Sequence, residues 1–525
     1  MKPFLIVVAA LLFDVVRSET LCDPATAIYY QDHVKDYTEL LQGLIDEASK
    51  SNQSTLFLKP GRFGLRGHAP IVLKPGVSLL GNKNEPTIFT TLTDPPSNEP
   101  ATIQVPAASI GWSISGIIFD NVNIDVQPQN NTRIAKVENN VFRNGGRGSI
   151  MSAFGTSLHI GHNIFLRDQA HAGTEFIPKY NTTNAGVVFE TQKNSVITNN
   201  IFGLDLRRLD DLSPVVASAF ESTFGKIRYA QDCLKLQWDD QQGFMASGVQ
   251  LYHTNGITIR ENIMNATFPD TIRIAQDHAI SVVGSNQTYI MQNFIAGWQL
   301  GDFGGAIRFT SAVDAYVASN YLANTAVMMF VANHADFMQV DNLVLYNNFI
   351  YRFLDHTFGP ADNQLGGWLY EGITFYDFWT ARLNYTAKSP IWNSSVPISP
   401  FAHGIVITNN KFGAAGDLDP NVISMGNLDP KQSLVDRNNC YVTPPLVPES
   451  QSNKVPLLWR QSYKDGVTAR FGSRIPKLIK HRVTRKLVEK VPDELRQLPF
   501  PDYWKAFTLR NGTVPMISPT LSCFR

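Results

Sequence analysis

Residues 197–203 read "ITNNIFG" and residues 407–413 read "ITNNKFG", one heptapeptide written twice with a single change, 210 residues apart. The duplication points to an internal repeat, and a repeat decides architecture before any single residue does. With Asn200 as the marker, Ile197 stands three residues before it and Phe202 two after it. The pattern apolar-x-x-Asn-x-apolar returns at Asn140, Asn163, Asn262, Asn293, Asn320, Asn348, Asn410 and Asn438. Successive markers are 23, 37, 62, 31, 27, 28, 62 and 28 residues apart, and the two long steps suit a pair of turns with an insertion.

Positions that the search did not use obey the same register. Thirteen residues before a marker stand Ile150, Val187, Val249, Ile280 and Ile307; eleven before it stand Ser152, Phe189, Leu251, Val282 and Phe309. Each unit therefore opens with a strand of alternating character, such as "GVVFE", "GVQLY", "AISVV" and "AIRFT". A second strand ends three residues before the Asn and a third follows it. Alternation of period two in short runs separated by polar turns signals strands, and the spacing of three and four that a helical solenoid needs is missing. Three short strands per turn predict an all-β chain, a right-handed parallel β-helix. The marker Asn is expected to take the left-handed conformation of a tight turn and to stack its amide into a hydrogen-bonded ladder. Val187, Val249, Ile280 and Ile307, with Phe189, Leu251, Val282 and Phe309, are expected to stack in the core.

A solenoid needs caps on its apolar ends. In Tyr37–Ser51, Leu40, Leu41, Leu44, Ile45 and Ala48 form one helical face that suits an N-terminal cap. It is followed by "TLFLKPGRFGLRGHAPIVLKPGVSLLGN" (Thr55–Asn82), two strands broken by Pro-Gly turns. A capping helix, an apolar strand, "KPG", another strand and a Leu-Leu-Gly step together resemble the N-terminal end of the pectate-lyase-like superfamily. The resemblance covers Tyr37 to Tyr441. It implies the β-helix fold, and its members include lyases, glycoside hydrolases, epimerases and phage tailspikes. Of the polygalacturonase motifs none stands intact here, although "RIAQDHAISVVG" (Arg273–Gly284) echoes an Asp and a His.

The 525 residues are 43% hydrophobic with a formal net charge of zero, which supports a large core and implies no bulk attraction to nucleic acid or membrane. Lys2 followed by the apolar run Phe4–Phe13 and small residues up to Ser18 has the layout of a secretory signal peptide, too short to span a bilayer. Cys22, Cys233, Cys440 and Cys523 agree with an oxidising compartment and allow three pairings. Glycosylation sequons start at Asn52, Asn130, Asn181, Asn265, Asn286, Asn384, Asn393 and Asn511. The expected order is a signal peptide (1–18), a cap with the first turns (19–82), a β-helix (83–441) and a C-terminal extension (442–525). Two segments, 204–247 and 354–403, interrupt the rhythm as excursions over a face of the solenoid. The second is rich in aromatics, including Trp368 and Tyr370. In the extension, Arg470–Lys486 carries seven Lys or Arg and no acid. It reads as a solvated basic segment, with a polyanionic glycan or processing at Arg482-x-x-Arg485 as alternatives.

The residues between the inward ones of the opening strand must point outward. They form two columns: Val188, Gln250, Ser281 and Arg308, then Glu190, Tyr252, Val283 and Thr310. Asp239, Asp240, Asp270, Arg273, Asp277, His278 and Asp302 enter the same region from the preceding loops. Carboxylates, an imidazole and guanidinium groups along one groove suit glycoside hydrolysis, which uses two carboxyl groups. They also suit polysaccharide lysis, which uses a base and a cation that neutralises the uronate, with calcium as an option. The expected catalytic set is Asp277, His278, Asp302, Arg308, Glu190 and Asp240, with Tyr252, Arg273, Trp368 and Tyr370 binding substrate. The plain alternative is turn chemistry, with Arg308 pairing Asp302 or Asp277. Three classes of function stand: a secreted, monomeric carbohydrate-active enzyme, a non-catalytic glycan-binding or adhesin-type solenoid, and a structural extracellular glycoprotein.

Overall fold

The computed structural model describes most residues between Lys35 and Tyr441. Residues 1–34, 168–184, 266–277, 299–304, 332–339, 353–372, 378–401, 415–422, 426–432, 436–438 and 442–525, with shorter breaks, lie outside the description. The expected signal peptide, the C-terminal extension and its basic segment, and most of the second insertion fall in those ranges. Among the described residues no helix is long and apolar enough to cross a membrane.

The strands form three sheets in which every pairing is parallel. Each turn contributes one strand to each, and the sheets are called opening, middle and closing after their order in the repeat. The opening sheet includes Ala185–Glu190, Ser247–Tyr252, His278–Val283 and Gly305–Phe309. The middle sheet includes Lys193–Thr198, Asn255–Arg260, Ser285–Met291 and Ala312–Ala318, and the closing sheet Ile201–Phe202, Ile263–Asn265, Phe294–Ala296 and Tyr321–Ala323. The molecule is a right-handed parallel β-helix. Helix α1 (Thr38–Lys50) packs on the first strand of each sheet. Its buried face is Thr38, Leu41, Ile45 and Ala48. Leu40, expected on that face, is 44% exposed.

The core is built in columns. Val187 pairs with Val249, Val249 with Ile280 and Ile280 with Ile307, and the parallel column runs Phe189, Leu251, Val282, Phe309. All eight are fully buried. In the closing sheet Phe63, Phe89, Phe119, Phe142, Phe165 and Phe202 make one file of rings with neighbouring centroids 4.6–6.0 Å apart. Met264, Ile295, Leu322, Ile350 and Phe412 continue it in register.

The asparagine ladder is present and continuous from Asn140 through Asn163, Asn200, Asn262, Asn293, Asn320, Asn348 and Asn410 to Asn439. Asn262 shows the pattern. Its Oδ1 accepts the backbone N–H and the Nδ2 of Asn200, both at 3.0 Å, and its Nδ2 donates to Ile197 O and to Asn293 Oδ1, both also at 3.0 Å. Three expectations about the corner need correction. The last member is Asn439, not Asn438, so the final step is one residue longer than the pattern implied. Each 62-residue step is one turn with an insertion rather than two turns, because Asn200 bonds Asn262 directly and Asn348 bonds Asn410. The left-handed residue is the one before the ladder Asn: Asn139, His162, Asn199, Glu261, Gln292, Ser319, Asn347 and Asn409 have φ between 53° and 58°. The ladder Asn needs its amide aimed inward, and the reversal one residue earlier turns it there.

The first insertion carries helices α2 (Pro214–Ala219) and α3 (Glu221–Asp232). Val216, Phe220, Phe224, Ile227 and Ala230 bury the outer face of the closing sheet at Ile118, Val141, Ile164, Ile201 and Ile263. The second insertion is interrupted by an opening-sheet strand, Ile373–Asp377, which pairs with Val327–Val331.

Candidate functional site

The opening strands place the candidate site. With alternate residues committed to the core, Val188, Gln250, Ser281 and Arg308 are left on the outer face, and the register stacks them on consecutive turns. Neighbouring turns are about 4.8 Å apart. The alternation breaks at the start of the strand, where Ala279 and Ile280 both belong to the core. A side chain one position earlier therefore faces outward. A Cβ on Gly148, which pairs with Ala185, would lie 2.9 Å from the outer side chains of Met151 and Val188. His278 pairs with Gly305 and, through Ser247 Oγ, which donates to its carbonyl at 2.8 Å, follows the same column. The imidazole thus begins the strand on the face that carries Ser281, with Arg308 one turn on.

The structure describes some of the expected site residues and not others. His278, Arg308, Tyr252 and Glu190 are brought to one face over four consecutive turns. His278 is fully buried, Arg308 and Tyr252 are half-buried, and Glu190 is exposed. Asp277, Asp302, Asp240, Arg273, Trp368 and Tyr370 lie outside the described residues. The first insertion does not wall this face in its helical part, because α2 and α3 cover the closing sheet instead.

Three further residues belong to the face. Gln250 is 3% exposed and its Oε1 accepts the Tyr252 hydroxyl at 3.3 Å. Ser281 is 2% exposed, and its Oγ has no hydrogen-bond partner among the described residues. Asp125 stands two turns before Val188 in the same column, through Met151. Burial pushes its carboxyl above the ordinary value. The alternation in "VNIDV" (Val122–Val126) carried the signal for Asp125, and the register with Arg308 carried it for Gln250 and Ser281.

Such a face can bind a chain of sugars laid along the solenoid. Arg308 offers a permanent charge with paired donors for a carboxylate, Gln250 and Ser281 offer hydroxyl partners, and Tyr252 a ring. His278 can hold or deliver a proton. Among the described residues no group of three or more His, Cys, Asp or Glu is placed to hold a metal ion. Asp125 and Glu190 do not converge, so the described residues alone do not make a calcium site.

The fold thus defines a class, the right-handed parallel β-helix proteins. No family model matches the sequence, and no curated protein matches it. Similar solved structures include PfbA, a surface adhesin of Streptococcus pneumoniae, at 12% identity and a TM-score of 0.44 over 79% of this chain and 89% of that one. The A-module of the mannuronan C-5 epimerase AlgE4 from Azotobacter vinelandii is similar at 12% identity and 0.38, over 79% and 94% of the two chains. DFA-IIIase from Arthrobacter chlorophenolicus A6 is similar at 11% and 0.37, over 79% and 92%. Likenesses this distant leave function to be argued from the site.

Proposed function

We propose that the outer face of the opening sheet is a polysaccharide site, and that the protein cleaves or modifies an acidic polysaccharide outside the cell. The observation that carries the reading is the run of polar side chains on consecutive turns of one face, Gln250, Ser281 and Arg308, with His278 beginning the central strand. Arg308 would hold a uronate carboxylate and His278 would move the proton. Acids that would complete a hydrolase pair or a calcium site, Asp277 and Asp302 among them, would come from the connections that lead into these strands.

A polysaccharide panel tests this with the full chain, reading reducing ends for hydrolysis and absorbance at 235 nm for lysis. Turnover of an acidic polysaccharide, lowered at least tenfold in Arg308→Met and in His278→Asn, is the expected result. The alternative is a non-catalytic, glycan-binding solenoid. Saturable binding without product, weakened by Arg308→Met, would favour it. Absence of both binding and turnover across the panel would end the polysaccharide reading.

A further inference from the structure

The corner between the middle and closing sheets carries, away from the opening face, a cleft of about 850 Å³, bounded by Gly116 on the solenoid and by Glu221, Lys226, Tyr229 and Asp232 on α3. That size suits a small-molecule ligand. The cleft sits where the asparagine ladder begins. Asn140 is its first member and accepts the N–H of Ile117 at 3.0 Å. One corner earlier the chain turns at Gly116, with φ of 76°, and its carbonyl accepts Lys226 Nζ at 2.9 Å.

Lys226 is 5% exposed. Among the described residues the Gly116 carbonyl is its one hydrogen-bond partner, and no carboxylate forms an ion pair with it. An ammonium has three donors, so two are left for the cleft. Glu221 and Asp232, on the same helix, line the cleft and are exposed. A buried cation without a counter-charge is costly and calls for one negative charge. A neutral sugar would not supply it. A phosphate dianion would set two charges against Glu221 and Asp232, and Arg228, also on the cleft wall, would offset one of them. Glu221 and Asp232, for their part, call for hydrogen-bond donors.

We propose that this cleft binds a small polyhydroxylated carboxylic acid, a sugar acid, with its carboxylate on Lys226 Nζ and its hydroxyls donating to Glu221 or Asp232, which stand at opposite ends of α3, roughly 16 Å apart. Burial lowers the Lys226 ammonium to about 8, so the charge that holds the ligand is lost as pH rises past that value. The other titratable groups lining the cleft are Glu221, Arg228, Tyr229 and Asp232, all on α3; on the solenoid side the lining is backbone and neutral side chains, with the Glu85 carboxylate close enough to act on Tyr229. The site is independent of the opening face.

Calorimetric titration of the full chain with galacturonate, galactose and inorganic phosphate tests the proposal. Galacturonate is expected to bind saturably, with galactose and phosphate each roughly tenfold weaker or more. Affinity should fall between pH 7.5 and 9.5. Lys226→Met should weaken galacturonate by roughly tenfold or more. A second variant leaves the lysine in place: a Cβ on Gly225, which lines the cleft, meets nothing within 4 Å, so Gly225→Trp should block entry. Arg308→Met, on the opening face, should leave this binding unchanged. No saturable binding of galacturonate, equal binding of galactose, tighter binding of phosphate, or indifference to Lys226→Met and Gly225→Trp would each overturn it. Binding lost in Arg308→Met but kept in Gly225→Trp would assign the ligand to the opening face and overturn it too.

Discussion

At each corner after the middle sheet two neighbouring residues divide two tasks. The first reverses the backbone at positive φ, and the second, always Asn from Asn140 to Asn439, carries the amide. The reversal tolerates His162, Glu261, Gln292 and Ser319, because any short stretch of chain can be held there by the stack around it. The amide position does not vary, because only Asn supplies both an acceptor and donors at that reach. Asn262→Ala should therefore cost about 3–4 kcal/mol, measured by denaturant unfolding, since it leaves the Asn200 N–H and the Ile197 carbonyl buried without partners. The corner between the opening and middle sheets has its own left-handed column at Phe154, Thr191, His253 and Gly284. A β-branched residue is the least suited to it, and Thr191→Gly should raise stability by about 0.5–1 kcal/mol in the same assay. Lys226 makes a prediction about pH. Folding lowers its pKa from an ordinary 10.5 to about 8. Below pH 8 both states keep the proton, and between about pH 8 and 10.5 the unfolded chain binds more of it, so stability rises with pH across that window. The increment is about 3 kcal/mol at most, and Lys226→Met should lack it when the two stability-against-pH curves are compared.

At the scale of elements, the closing sheet is buried on both faces over much of its length, as the opening sheet is at His278–Val283, whereas the middle sheet keeps an open outer face. The marker pattern holds the reason in pairs such as "IF" and "VF" after each Asn, the first residue for α2 and α3 and the second for the file of rings. The sequence reading used the second of each pair and left the first unexplained, so nothing in it directed the first insertion to this face rather than to the groove of the opening sheet. Ile227 is fully buried in that outer layer. Ile227→Ala should cost about 2–4 kcal/mol by thermal or chemical unfolding. Hydrogen exchange should then quicken in α3 and along the closing strands, and much less in the opening sheet.

At the scale of the molecule, each turn touches only its neighbours, so stability should add turn by turn. The 23 residues Val141–Asn163 make one full step of the ladder. Deleting them should bring Asn140 against Asn200 and leave a folded, shorter solenoid with a lower melting temperature. Opening-face binding at Gln250, Ser281 and Arg308 should persist. Loss of the parallel-strand circular dichroism signal in that deletion would show that the turns are not independent.

Periodicity alone was enough for the architecture of this chain: three strands per turn, the inward columns, the ladder and the outward set that includes Gln250, Ser281 and Arg308 all follow from residues repeated at fixed offsets, because a solenoid converts sequence distance directly into position. What escaped the sequence was whatever breaks the period. The slip to Asn439, the single turn inside each long step, the bend that sends His278 outward while Ala279 joins Ile280 in the core, and the layer of α2 and α3 that buries Lys226 against Gly116 are each set by contacts between residues that no offset relates. Lys226 and Gly116 are 110 residues apart; only the folded turn and the helix laid over it bring that ammonium to that carbonyl.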